Sequence, residues 1–237
     1  IAAEKKVPVK FVTYTNPSIG TDKIILAPDI KGPADLKGKK VAVLEGGLTQ
    51  IYMGIWLENN GVKFNEVEYV NVIMDDAVGA MVSGQVAAGE LWEPFGSKVL
   101  ENLKGSRAVT TSAEPYWKST ALLGDGMYMT ESFVKDKSEL AALAMKGYFL
   151  AVDYWKKHPA EANEIIAKAL KFPVADVELV IGKDGKPTEG GIWAFDIDEA
   201  ARFMRVRDAA PPIGSAKGML DHWALTNEWW IKFGLMK

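Results

Sequence analysis

The run Trp92-Glu93-Pro94-Phe95 sets an indole, a carboxylate and a rigid imide side by side. An indole next to a carboxylate can stack on a solute while the acid accepts a hydrogen bond from it. The competing reading is a packed Trp92 with Glu93 opening a helix, where an acid suits the positive end of the dipole. Gly46-Gly47 followed by Thr49 forms a second candidate, since glycines let backbone N–H groups approach an acceptor and Thr49 adds a hydroxyl. Two glycines serve equally well in a plain strand-to-helix turn, and the phosphate-loop pattern GxxxxGK[ST] is absent. Asp125, between Gly124 and Gly126, fits either a hinge residue aimed into a cleft or a turn residue. Asp75 and Asp76 read as helix-capping residues rather than ligand contacts.

Composition narrows the chemistry further. The chain has no cysteine, which removes thiol catalysis, disulfide scaffolds and Cys-ligated metal sites. Its two histidines, His158 and His222, are far apart, so a multi-histidine metal site is excluded, and both read as structural. A net charge of −3 gives no electrostatic case for nucleic acid or an anionic membrane surface. No apolar run approaches the ~20 residues that span a bilayer.

The elements that would hold these residues follow from periodicity and turn chemistry. Val7 to Tyr14 and Lys23 to Leu26 read as strands around an Asn16–Gly20 turn, with a helical turn at Pro33–Leu36. Strands over Lys40–Glu45, Glu66–Val72 and Val86–Leu91 then alternate with helices, the first stopping at Asn59-Asn60-Gly61, the second capped by Asp75, the third running from Glu93 to Leu103. Short alternation of this kind predicts right-handed crossovers and a parallel sheet. In such a sheet ligands bind beyond the carboxyl ends of the strands. There the loops 45–49, 71–76 and 90–95 converge, which adds Asn71 to the candidate site. Further strands are expected at Arg107–Thr110 and Ala121–Met129, the latter interrupted by Gly124-Asp125-Gly126. Helices follow, one with a stripe of Leu140, Leu143, Ala144, Gly147, Tyr148, Ala151 and Trp155 and a second starting at Pro159. Two more are expected over Phe195–Val206 and Met219–Phe233, the last rich in Trp.

An ordered set of segments resembles the nitrate/sulfonate/taurine-type (NMT1/THI5-like) solute-binding proteins of ABC importers. It comprises Asp35–Val43, Gly46-Gly47, Asp76-Ala77, Met81–Val86, Trp92-Glu93-Pro94, Phe133-Val134-Lys135 and Ala151–Ala162, and Ala3–Tyr14 resembles the segment after that family's third strand. The resemblance implies an α/β fold of the periplasmic binding protein type II, a Venus flytrap of two α/β lobes, with no counterpart here of the first lobe's opening βα units. On that template residues 1–34 are the remainder of lobe 1 and the first crossing, 35–122 are lobe 2, and 123–237 are the return crossing and the C-terminal helices of lobe 1. Ile1–Lys6 reads as the tail of a helix, an expectation that fits a missing N-terminal part.

The functional expectation is capture of a small solute between two lobes in the periplasm, or outside a membrane to which the protein is tethered. Delivery would be to an ABC permease of the inner membrane, without cofactor, catalysis or nucleic acid. The ligand-binding set is Gly46, Gly47, Thr49, Asn71, Trp92, Glu93 and Asp125. The expected rim carries Glu45, Asp75, Asp76, Glu90, Glu93 and Asp125, and between Val41 and Lys98 the only basic residue is Lys63. Such a rim fits a cationic, zwitterionic or neutral nitrogenous solute better than a simple anion. Two alternatives compete: a pyrimidine-synthase-like enzyme on the same fold, which the lack of cysteine disfavours, and a ligand-sensing domain of a regulator.

Overall fold

The computed structural model describes residues 6–237, so the expectation for Ile1–Lys5 lies outside the described residues. Strands β1 (Val9–Pro17) and β2 (Lys23–Leu26) are followed by a 3₁₀ turn at Pro33–Leu36. Then come β3 (Lys40–Val43), α1 (Leu48–Asn59), β4 (Glu68–Asn71), α2 (Met74–Val82), β5 (Ala88–Leu91), α3 (Phe95–Asn102) and β6 (Arg107–Thr111). α4 (Pro115–Thr120) leads into β7 (Gly124–Thr130). The chain ends in helices α5 (Glu131–Asp136), α6 (Ser138–Lys157), α7 (Pro159–Leu170), α8 (Val174–Ile181), α9 (Ile197–Phe203) and α10 (Met219–Lys232).

Five strands form one sheet in the order β4-β3-β5-β2-β6. β3 runs parallel to β4 and β5, whereas β2 is antiparallel to both β5 and β6, so the sheet is mixed rather than wholly parallel. The reason is the route of the chain: β3–α1–β4 and β4–α2–β5 are helical crossovers that enforce parallel pairing, but β2 enters from a loop and is free to run the other way. β2 also lies within this sheet, so the sheet draws on residues before Asp35, ahead of the expected boundary. Two cores flank it. Ile24, Leu26, Val41 and Val43 pack on α1, while Ile25, Ala42 and Leu91 pack on α2 and α3. α1 is buried at every position from Thr49 to Leu57, as its nearly continuous apolar sequence requires.

β1 and β7 form a separate antiparallel ribbon, from Val9↔Thr130 to Pro17↔Gly124. β7 is not broken by its glycines. Gly124 and Gly126 are ordinary extended residues whose missing Cβ atoms make room for the Tyr14 hydroxyl and the Phe11 ring, which corrects the expected interruption. Tyr14, Phe149, Phe195 and Phe203 form the core behind the ribbon. On α6 the buried residues are Ala141, Phe149, Val152 and Trp155, while Leu140 and Leu143 stay 52% and 58% exposed. The expected stripe is thus displaced, because α6 is apolar on two faces and the bulky aromatic one wins the ribbon. The C-terminal helix α10 does not belong to the ribbon side alone: Trp229 joins the core of the five-stranded sheet, while His222 and Trp223 meet Tyr14 and Phe11 edge-on.

His222 is buried, with Nδ1 donating to the Ala121 carbonyl at 2.9 Å. Burial pushes its pKa down, and the Ala121 bond opposes this only in part. A depressed folded-state pKa means stability is complete above the unfolded value of about 6.5 and is lost as pH falls. The stability advantage of the wild type over His222→Gln therefore shrinks between about pH 7.5 and about pH 5 in urea titrations. Gly124→Ala is expected to cost about 1–3 kcal/mol by overpacking. Adding Tyr14→Phe should return part of that loss in the same assay.

Candidate functional site

Residues 15–22, the end of β1 and the passage from ribbon to sheet, form a polar segment that the fold buries: Thr15, Asn16, Ser18, Thr21 and Asp22 are each at most 9% exposed. Loops ordinarily run over the surface because buried backbone polar groups need partners. Here the partners come from three directions. Ser112, beyond β6, is the hub, with its hydroxyl 2.6 Å from the Ser18 hydroxyl and accepting from Gly20 N at 2.8 Å. Ser18 N donates to the Leu123 carbonyl at 2.7 Å, and Ile19 N donates to the Gly191 carbonyl at 2.9 Å. Gly20 (φ +136°) has no room for a Cβ against the backbone of Gly190, so two chains cross in contact at this point.

A cavity of about 530 Å³ opens beside this crossing. Its polar floor is Asn16, Ser18, Thr21, Asp22 and Asp125. One wall comes from the starts of α1 and α3, through Leu48, Thr49, Trp92 and Phe95, and the facing wall comes from α7 and α8, through Ile166, Leu170, Val177 and Val180. Among the described residues the lining includes four acids, Asp22, Glu93, Asp125 and Asp176, and no Lys, Arg or His.

Of the seven residues singled out from sequence, Gly47, Thr49, Trp92, Glu93 and Asp125 line this cavity. Gly46 and Asn71 do not: Gly46 N donates to Gln50 Oε1 at 2.8 Å, and Asn71 Oδ1 accepts from Glu45 N at 3.0 Å. Both serve the turn geometry that presents Gly47. Thr49 has its hydroxyl tied to Leu44, accepting from N at 3.0 Å and donating to O at 3.2 Å. Glu93 forms an ion pair with Lys23 Nζ at 2.7 Å and accepts from Ser97 N and Oγ. Its oxygens are therefore already engaged. Trp92 is half-buried, with its ring edge-on to Phe95. Asp125 accepts from Asn16 Nδ2 at 3.1 Å and stays exposed. Of the expected rim, Glu90 is fully buried, while Asp75 and Asp76 stand exposed in the first turn of α2, whose N-cap is Ile73. Neither aspartate is a cap; they favour the helix through its dipole.

The residues missed from sequence are Thr21 and Asp22 on the floor and the whole α7–α8 wall. The Asn16–Gly20 stretch has turn composition, and nothing local shows that it is buried. Ile166 and Leu170 are apolar residues one turn apart on α7, but only the chain path turns them toward the cavity.

The geometry above is shared with known proteins. The chain belongs to the NMT1/THI5-like family, whose model matches residues 1–162. It is 23% identical over 184 residues to the taurine-binding periplasmic protein of Escherichia coli K12, covering 75% of this chain and 56% of that one. Among solved structures it is similar to the alkanesulfonate-binding protein SsuA from Xanthomonas axonopodis pv. citri bound to MOPS (TM-score 0.72, 17% identity, 100% of this chain and 72% of that one). The periplasmic aliphatic sulphonate binding protein SsuA from E. coli follows (TM-score 0.67, 17% identity, 99% and 72%). These likenesses establish the type II periplasmic-binding-protein fold. The chain spans about half the length of the curated relatives it matches. No helix among the described residues is long and apolar enough to cross a membrane.

The Lys23–Glu93 pair ties β2 to the start of α3 beside the cavity, with the two side chains 14% and 3% exposed. Lys23→Met strands the Glu93 charge and is expected to destabilise by about 3 kcal/mol in chemical denaturation. Lys23→Met combined with Glu93→Gln should recover most of the loss, because no uncompensated charge then remains.

Proposed function

We propose that this chain captures a small solute between the sheet unit and the helical C-terminal unit and, in the periplasm, hands it to the permease of an ABC importer. One observation carries the reading: in a fold shared with sulfonate-binding proteins, the cavity lies where the ribbon enters the sheet, with walls from both units. Closing such walls on a solute is how a binding protein registers occupancy. The solute shifts the open–closed balance only by the contacts that it adds in the closed form. The protein acts by binding, and no lining residue is assigned a catalytic role.

The relatives' names direct attention to sulfonates, and the start of α1 supports that reading. α1 starts at Leu48 behind Gly47, its N-cap has no capping side chain, and Gly47, Leu48 and Thr49 all line the cavity. Unsatisfied N–H groups at a helix start favour an anionic oxygen. The apolar wall of Ile166, Leu170, Val177 and Val180 opposite Trp92 suits an aliphatic body. The acids of the lining disfavour a bare anion and fit a solute that also carries nitrogen, cationic or zwitterionic.

Isothermal calorimetry of the 237-residue chain against ethanesulfonate, butanesulfonate, taurine and nitrate tests this directly. At least one sulfonate is expected to bind saturably, with Trp92→Ala weakening it about tenfold or more through loss of the indole wall. No saturable binding of any of the four would sink the capture reading.

A further inference from the structure

We propose that Asn60, followed by Gly61 at the end of α1, is a site of spontaneous deamidation that the folded end of the helix holds in check. The side-chain amide is lost to water through a cyclic imide, leaving aspartate and isoaspartate. The proposal is independent of the capture reading.

Asn60-Gly61 is the one Asn-Gly step in the chain. The Gly61 nitrogen loses its proton to a solvent base and attacks Asn60 Cγ, a C–N bond forms, and Nδ2 leaves as ammonia. Water then opens the five-membered imide at either carbonyl. Nothing is oxidised or reduced, and water is the only co-reactant. Glycine favours the attack because it puts no side chain beside the nucleophilic nitrogen. Asn60 and Gly61 are both exposed, and among the described residues a Cβ on Gly61 would meet nothing within 4 Å, so water and base reach the site.

The end of the helix opposes this chemistry in three ways. Asn60 is the C-cap and Gly61 follows with φ +77°, while Val62 N donates to the Leu57 carbonyl at 3.0 Å and Gly61 N to the Glu58 carbonyl at 3.1 Å. This is the Schellman ending, and it engages the N–H that must be given up. The side chain is held as well, with Asn60 Nδ2 donating to the Trp56 carbonyl at 2.8 Å. A ψ of 19° at Asn60 also turns the Gly61 nitrogen away from Cβ, whereas ring closure needs it on the same side. All three restraints are released together when the last turn opens. Val62, buried with Trp56 and Leu57 in one core, sets the cost of that opening. Neither product restores the ending. Isoaspartate adds a methylene to the backbone before Gly61, and aspartate replaces the donor to Trp56 by a carboxylate at the negative end of the helix. The damage falls on the C-terminus of α1, while its start at the cavity is left intact.

Peptide mass spectrometry of the wild-type chain, sampled over days at mildly alkaline pH with and without denaturing urea, tests both the site and its restraint. In urea Asn60 is expected to convert first among the asparagines, gaining the mass of an amide-to-acid change and giving isoaspartate together with aspartate. In the native protein the same conversion is expected at least about tenfold more slowly, and urea below the unfolding transition should speed it. Asn60→Gln, whose longer side chain cannot close a five-membered ring, should show no such conversion in either condition. Asn60→Asp, which reproduces one product, should unfold at lower urea than the wild type. An Asn60 that keeps its amide in urea would overturn the site. A native rate equal to the rate in urea, or an Asn60→Asp variant as stable as the wild type, would overturn the restraint by the helix end.

Discussion

The structure depends on one demand: a polar segment must cross the interior with every backbone group satisfied. Residues 15–22 could have run over the surface, where water would serve them. Instead they pass between ribbon and sheet, and three distant segments are drawn in to meet them, at Ser112, Leu123 and Gly190-Gly191. Each of those contacts fixes a larger element. Ser112 follows β6, Leu123 precedes β7, and the Gly190-Gly191 turn follows α8 and leads to α9. The hydrogen bonds of one loop therefore hold the sheet unit, the ribbon and the C-terminal helices in one register. The cavity is the space left where they meet.

Charge is distributed by the same logic. Lys23, at the exit of the crossing, is committed to Glu93 and to the loop carbonyl of Gly20. It acts as a structural tie between β2 and α3, and so it is removed from the list of groups that could neutralise a solute. Asp22 and Asp125 are left facing the cavity with hydroxyls and an amide for company. A fold that needed only stability would bury a hydrophobic pair at the Lys23–Glu93 position and no acid at Asp22. Asp22 and Asp125 thus line the cavity while the neighbouring ammonium of Lys23 is directed elsewhere.

How much of this was legible in the sequence follows from the range of each signal. The β3–α1–β4–α2–β5 alternation is local, and its helices and strands lie within a few residues of where the periodicity puts them. Gly47, Thr49, Trp92 and Glu93 lie at strand ends of that regular unit, so the general rule for ligands in open sheets carried them to the cavity wall. The direction of β2 was not legible, because a four-residue apolar strand reads the same in either orientation. The displaced face of α6 has a similar cause: two apolar stripes on one helix cannot be ranked without the partner surface. The roles of Gly124 and Gly126 were misread because glycine marks both turns and close approaches, and only Tyr14 and Phe11, more than a hundred residues away, decide between them. Asp22 was invisible for the strongest reason. Its place on the cavity floor depends on the burial of the whole crossing, which no local spacing announces.

The cavity is asymmetric, and that asymmetry constrains how a solute can lie in it. Acids and hydroxyls gather at the crossing, the uncapped start of α1 lies on one wall, and aliphatic side chains of α7 and α8 form the other. Asn16, Ser18, Thr21 and Asp22 belong to the hydrogen-bonded crossing itself, so the floor is held in place by the fold. The apolar wall belongs to helices packed largely on one another, α7 on α6 and α8. That wall is joined to the crossing as well, because Ile192 N donates to the Val180 carbonyl at 2.8 Å while Gly191 O accepts from Ile19 N. Polar contacts and apolar burial are therefore offered by different elements of the cavity, the crossing and α7–α8, which backbone hydrogen bonds join into one frame.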